Sequence, residues 1–262
     1  HAGPPSAAPP PVAGGPGAFD EIQDTNYFGT SHFPCCITNF PQGWPKLAQA
    51  AVLAEPRASP PAVVIASLLP LRATVAAASA SIVIDTSYPF GDGGTVHVTA
   101  AKPTTLKVRI PGWAVGATVN GRRVANGTFA SVACAPGNTS VAVAFKPEVR
   151  IERGWGDTLA TPPADAVAVV RGPLLFALHP RELRTVVTTY NTTPAAVGHH
   201  APDYLIRTDE PWNYALDLSK GTTFVSEPSA DWSLAFPFDD SGAYPFAVRV
   251  SARRLPSWGH WR

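Results

Sequence analysis

The chain has 262 residues, 45% of them hydrophobic, enough to bury a substantial core in one large or two ordinary domains. Charged residues make up only 15% and the formal net charge is +1, so no global field draws the chain to nucleic acid or to an anionic membrane. No apolar run approaches the ~20 residues that a membrane-spanning helix needs.

The chain opens on His1 and contains no Met, which reads as a processed or truncated product. Residues 1–18 form a Pro/Ala/Gly tract without apolar period, a linker or flexible loop end that cannot offset its own ordering entropy. Order is expected from Phe19. The stretch 44–55 (WPKLAQAAVLAE) reads as one helix: Pro45 suits a first turn, and Trp44, Leu47, Ala51 and Ala54 share an apolar face until Pro56 ends it. A single short helix with nothing local to pack on points to a helical domain lying outside this chain.

From about residue 60 the period changes to two. Thr105–Ile110 alternates apolar and polar side chains as a half-buried strand does, and Pro111-Gly112 stops it. Val119-Asn120-Gly121-Arg122 carries a hairpin signal, because Asn and Gly both tolerate the positive φ of a type I′ turn. Further alternation runs through Thr95–Val98, Glu148–Ile151 and Phe246–Val250. The continuous apolar runs Ala166–Val170 and Leu174–Leu178, on either side of Arg171-Gly172-Pro173, read as central strands. The 29 prolines and 21 glycines favour this pattern of short strands and turns. The expected fold class is therefore all-β, with two β-sandwich domains over 59–158 and 159–262. A linker (1–18) and a helix-bearing lead segment (19–58) precede them.

The densest group of chemically able residues is FPCCITNFPQGWPK, Phe33 to Lys46. A free thiol ionises near pH 8.5 and becomes a nucleophile or ligand only where a metal or cation lowers that value. Adjacent cysteines do not make a regular zinc knuckle, yet they can serve one centre when other ligands arrive from afar. On the residues alone, Cys35 and Cys36 are structural thiols or a functional pair. Asn39 and Gln42 could bond a sugar through their amides and Trp44 by stacking, with turn formation and core packing as the competing roles. Three sequons, at Asn126, Asn138 and Asn191, suit a secreted glycoprotein, the last weakened by Pro194. His32 could tune Cys35, and Cys134 reads as a buried or free thiol in a turn-like stretch. His199-His200 and Asp239-Asp240 are weak metal candidates, and Arg253-Arg254 with Trp258 and Trp261 is a weak anion or glycan candidate; each has a surface or sheet-edge role as its simpler reading.

The stretch NYFGTSHFPCCITNFPQGWPKLAQ resembles the double-cysteine segment of the β-L-arabinofuranosidase-like glycoside hydrolases. DTSYPFGDGGTVHV, TLKVRIPGWA, ATVNG, AVVRGPLLFAL, PWNYAL and VRVSARRLPSWG resemble, in order, segments of that family's C-terminal half, from Asn26 to Gly259. Ile37 and Thr38 follow the cysteine pair where the best-characterised members carry two prolines. The resemblance implies an N-terminal (α/α)6 barrel, mostly absent here, followed by β-sandwiches. It implies Cys35 as nucleophile and metal contact, Cys36 as zinc ligand, and retaining hydrolysis of a carbohydrate substrate. The remaining ligands and the acid would come from the barrel, as a separate chain or a segment of one precursor, and this chain alone would be inactive. The alternative from the residues is a non-catalytic extracellular glycan-binding or structural assembly module. Neither reading needs a nucleic-acid partner or a membrane span.

Overall fold

A computed structural model of the protein describes residues 39–153, 166–188, 203–226, 230, 232–235 and 243–257. They fold as an all-β structure with one short α-helix, and the chain divides into two compact units between Phe145 and Lys146.

The first unit begins with a 3-10 turn, Phe40–Gln42, leading into α1, Gly43–Ala51. Pro45 lies in the first turn, where its missing N–H costs no intrahelical bond. The expected helix over 44–55 is four residues too long, because Val52–Glu55 form strand β1. They pair antiparallel with β2, Ala62–Ile65, from Val52 opposite Ile65 to Glu55 opposite Ala62. Each of those residues thereby gains a ladder partner in the sheet, and this pairing overrides the local helical period. The helix end is closed from the same side: the Ala51 carbonyl accepts from Ala66 N at 2.8 Å and Ser67 N at 3.3 Å.

Two sheets make a sandwich in this unit. One joins β1, β2, β6 (Thr104–Arg109) and β9 (Phe129–Cys134) in that order, with β2 and β6 parallel. The other has six strands, β3 (Leu71–Val75), β4 (Ala80–Thr86), β5 (Gly93–Ala100), β7 (Thr118–Val119), β8 (Arg122–Arg123) and β10 (Gly137–Ala144), ordered β3-β4-β5-β10-β7-β8. Alternation fixes which side chains face in. Ile82 and Ile84 of β4, Val96 and Val98 of β5 and Val141 and Val143 of β10 meet Leu106 and Val108 of β6 and Val63 and Ile65 of β2 in one core. All four residues of β2 are buried, so it reads as a continuous apolar run rather than an alternating one. The expected hairpin forms: Asn120 and Gly121 take φ of 49° and 75° between β7 and β8. The Asn120 side chain also accepts from Ala142 N at 2.9 Å, tying the turn to β10.

The second unit is built from smaller pieces. Strands β11 (Val149–Arg153), β12 (Val167–Arg171) and β13 (Leu174–Phe176) form a three-stranded antiparallel sheet with β12 in the middle. Of the two apolar runs expected to be central, the second lies on the outside of this sheet, and Leu175 and Leu178 are exposed. The turn at Gly172, φ 57°, folds β13 back antiparallel along β12, and among the described residues no strand pairs with its other side. Three antiparallel pairs complete the described part: β14 (Leu183–Thr188) with β15 (Asp203–Arg207), β16 (Tyr214–Leu216) with β19 (Ala252–Arg254), and β17 (Thr222–Val225) with β18 (Ala247–Val250).

Candidate functional site

The double cysteine Cys35-Cys36 and His32 lie outside the described residues. The residues that follow are in view. Asn39 just before the 3-10 turn, Gln42 at its end and Lys46 in the first turn of α1 recur at three- and four-residue spacing, so they occupy one face. They are linked there: Gln42 Nε2 donates to Asn39 Oδ1 at 2.7 Å, and Lys46 Nζ donates to Gln42 Oε1 at 3.5 Å. All three side chains are exposed. The result is a solvent-facing row with an amide and an ammonium oriented by their neighbours. Trp44 stands two residues beyond Gln42, and at about 100° per residue this puts it on the opposite side of the helix. Its ring is 70% exposed, so it packs into no core among the described residues. The structure thus brings Asn39 and Gln42 together and leaves Trp44 as a separate aromatic surface on the same turn.

The other sequence candidates are scattered. Cys134 ends strand β9 instead of sitting in a turn, and it is a buried free thiol whose pKa burial pushes up. A thiol held neutral in this way is a poor nucleophile. Asn126 and Asn138 are exposed. The Asn126 amide donates to the Gly112 carbonyl, while Asn138 Oδ1 accepts from Thr99 Oγ1 at 2.8 Å. Arg254 Nε reaches Asn213 Oδ1 at 3.4 Å, a bond within the β16–β19 region, and Arg253 is exposed on β19. His199, His200, Asn191, Asp239, Asp240, Trp258 and Trp261 lie outside the described residues. Among the described residues no three His, Cys, Asp or Glu side chains gather as a metal would require, and no helix is long and apolar enough to cross a membrane.

Several of the quoted motifs have structural work to do. The segment Asp85–Val98 turns from β4 into β5, and a Cβ on Gly93 would lie 2.0 Å from the Val143 carbonyl oxygen, so only glycine fits there. Tyr88 from that turn and Trp113 from Thr105–Ala114 both meet Phe145 edge to face, at 5.4 and 5.7 Å between ring centroids. Burial raises the Tyr88 pKa, with the nearby Arg109 charge acting against it. In the second unit Asn213 of PWNYAL clasps the closing segment: its Nδ2 donates to the Leu255 carbonyl at 2.9 Å, and Leu255 N donates back to the Asn213 carbonyl at 2.8 Å.

One polar group escaped the sequence reading. On the outer face of the six-stranded sheet a shallow groove of about 460 Å³ is lined by Arg72, Val83, Asp85 and His97, with Pro70 and Leu71 beside them. Alternation along each strand places these side chains outward, yet only the pairing register brings them together.

No family model matches the sequence, and no curated protein does. Among solved structures the chain is similar to a GH127 beta-L-arabinofuranosidase from Geobacillus stearothermophilus T6, at 17% identity and a TM-score of 0.42 over 69% of this chain. A structure described as a glycoside hydrolase matches at 18% identity and a TM-score of 0.40 over 68% of this chain. A GH127 beta-arabinofuranosidase matches at 20% identity and a TM-score of 0.32 over 73%. The chain covers 34%, 36% and 31% of those three chains, so it spans about a third of the length of the structures it is similar to.

Proposed function

We propose that this chain supplies the double-cysteine segment and the β domains of a secreted, retaining glycoside hydrolase resembling the β-L-arabinofuranosidases. The observation that carries the reading is the ordered run of family-like segments from Asn26 to Gly259, in which Cys35-Cys36 stands directly upstream of the exposed Asn39–Gln42–Lys46 row. In this reading the Cys35 thiolate forms a carbon–sulfur bond to the anomeric carbon as the glycosidic carbon–oxygen bond breaks. An acid from an N-terminal barrel outside this chain protonates the leaving oxygen. Water, giving its proton to that same barrel residue, then attacks from the face the leaving group vacated, opposite the sulfur. The carbon–sulfur bond breaks, Cys35 leaves as thiolate, and two inversions retain the anomeric configuration. Asn39 and Gln42 would hold sugar hydroxyls through their amides, and Trp44, on the opposite side of the helix, would stack on a different sugar unit.

The donor set suits zinc, since paired thiols match its preference for sulfur; Cys35 and Cys36 would hold it, with further ligands from the barrel. When bound, the metal would keep the Cys35 thiol ionised near neutral pH. Asn126, Asn138 and Asn191 would carry glycans in an extracellular protein.

The test is hydrolysis of an aryl β-L-arabinofuranoside by the chain joined to its barrel. Cys35→Ser should lower kcat by at least about 10³-fold, and mass spectrometry of quenched wild-type enzyme should find a sugar adduct on Cys35. Near-wild-type turnover by the serine variant would remove Cys35 from the mechanism. In the native protein a thiol reagent should modify Cys35 well before Cys134, whereas equal rates would mark both as structural thiols.

A further inference from the structure

We propose that the groove on the outer face of the six-stranded sheet binds an anionic sugar, a hexuronate unit of an acidic glycan. The assignment stands on the groove itself and is independent of the proposed catalytic role.

The register builds the site. Arg72 on β3 is opposite Val83 on β4, Val83 is opposite His97 on β5, and His97 is opposite Ser140 on β10. With neighbouring strands about 4.8 Å apart, this outward row crosses the sheet over roughly 14 Å. Asp85 lies two residues along β4 from Val83, diagonal to both Arg72 and His97, at a separation of about 7–8 Å for such neighbours. All three polar side chains are exposed, and neither Arg72 nor Asp85 has an ion-pair or hydrogen-bond partner among the described residues. Opposite charges that line one groove without closing on each other leave room for a ligand carrying the complement of both.

A hexuronate has that complement. Its carboxylate can take the planar fork of Arg72 in two parallel bonds, a contact that a hydroxyl cannot reproduce. A ring hydroxyl can donate to the Asp85 carboxylate. His97 Nδ1 is 2.9 Å from Ser140 Oγ, which orients the ring and leaves Nε2 to bond a second hydroxyl. Val83, 36% exposed, gives the sugar ring an apolar floor. Among the described residues no Phe, Tyr or Trp lines the groove, so charge rather than ring stacking decides the preference. The next outward row, Thr74, Ser81 and Thr99, offers hydroxyls to an adjoining sugar unit.

Calorimetric titration of the whole unglycosylated chain with trigalacturonate, against a neutral trisaccharide, tests this. Binding of the acidic probe alone is expected, weakened at least about 10-fold by Arg72→Gln and more modestly by Asp85→Asn. Both positions face solvent, so the unfolding midpoint should stay unchanged and separate lost binding from lost folding. Equal binding of the neutral trisaccharide, no binding at all, or binding indifferent to Arg72→Gln would overturn the assignment. Displacement by inorganic phosphate at the same concentration as by free galacturonate would also overturn it, by reducing the groove to a general anion site.

Discussion

The two units solve the same problem, how to stabilise short strands, by different means. The first closes two sheets over a continuous layer of aliphatic side chains, and Val63, Val96, Leu106, Ala117 and Val141 have no exposed surface at all. Each such Leu or Val contributes about 1.5–3 kcal/mol relative to exposure. In the second, only Val169, Val170 and Phe246 are buried apolar residues among those described, and polar groups take over. The buried Arg171 guanidinium lies 4.3 Å from the Phe224 ring centroid and 5.5 Å from that of Phe246, and the two rings are 5.2 Å apart. Among the described residues of the second unit, directional contacts of this kind stand in the place that aliphatic packing takes in the first.

Breaking that contrast gives a graded series. The largest effect is expected from Leu106→Ala, which empties a fully buried site on β6 between β2 and β9. It should cost about 2–5 kcal/mol, read from the denaturant midpoint. A loss below about 1 kcal/mol would mean that this core is less closely packed than its burial implies. Next, Arg171→Met keeps the bulk of the side chain and removes its charge, and should destabilise the second unit by about 2 kcal/mol. Arg171→Lys should restore only part of this, because an ammonium lacks the flat guanidinium that stacks on a ring. Full stability in the Met variant would show that packing, not cation–π attraction, holds the Phe224–Phe246 pair.

The smallest effect is a pH dependence confined to the first unit. Burial raises the Cys134 thiol in the folded state, as it raises Tyr88. A raised folded pKa leaves its contribution intact below the unfolded value, near 8.5 for a thiol and 10 for a phenol, and loses it as pH climbs through the folded one. Stability should therefore fall on the alkaline side, first through Cys134. In Cys134→Ala the part of that fall beginning near pH 8.5 should vanish in midpoints measured across the range. An unchanged slope would assign the alkaline loss to other groups.

Much of the fold was legible because its signals are local. Thr105–Ile110 alternates and is β6 with one residue's shift, and Asn120-Gly121 needs only its own backbone preferences to make the turn. Val52–Glu55 was misread because its partner, Ala62–Ile65, lies beyond a loop, and pairing outweighs local period. The candidate sites divide in the same way. Asn39 and Gln42 could be set side by side because they are near in sequence, and the structure links them directly. Arg72, Asp85 and His97 could not, since which strand neighbours which, and in what register, is decided by the whole core.

The parallel pairing of β2 with β6 has a consequence for the order of assembly. Strands β3, β4 and β5 are consecutive in the chain and adjacent in their sheet, so they can zip as hairpins at little loop-closure cost. Ala62 cannot meet Thr105 until the chain between them has crossed into the other sheet and returned. The seam between β2 and β6 is thus expected to form late in the first unit, and mutations there should speed unfolding while leaving the early hairpins' formation untouched.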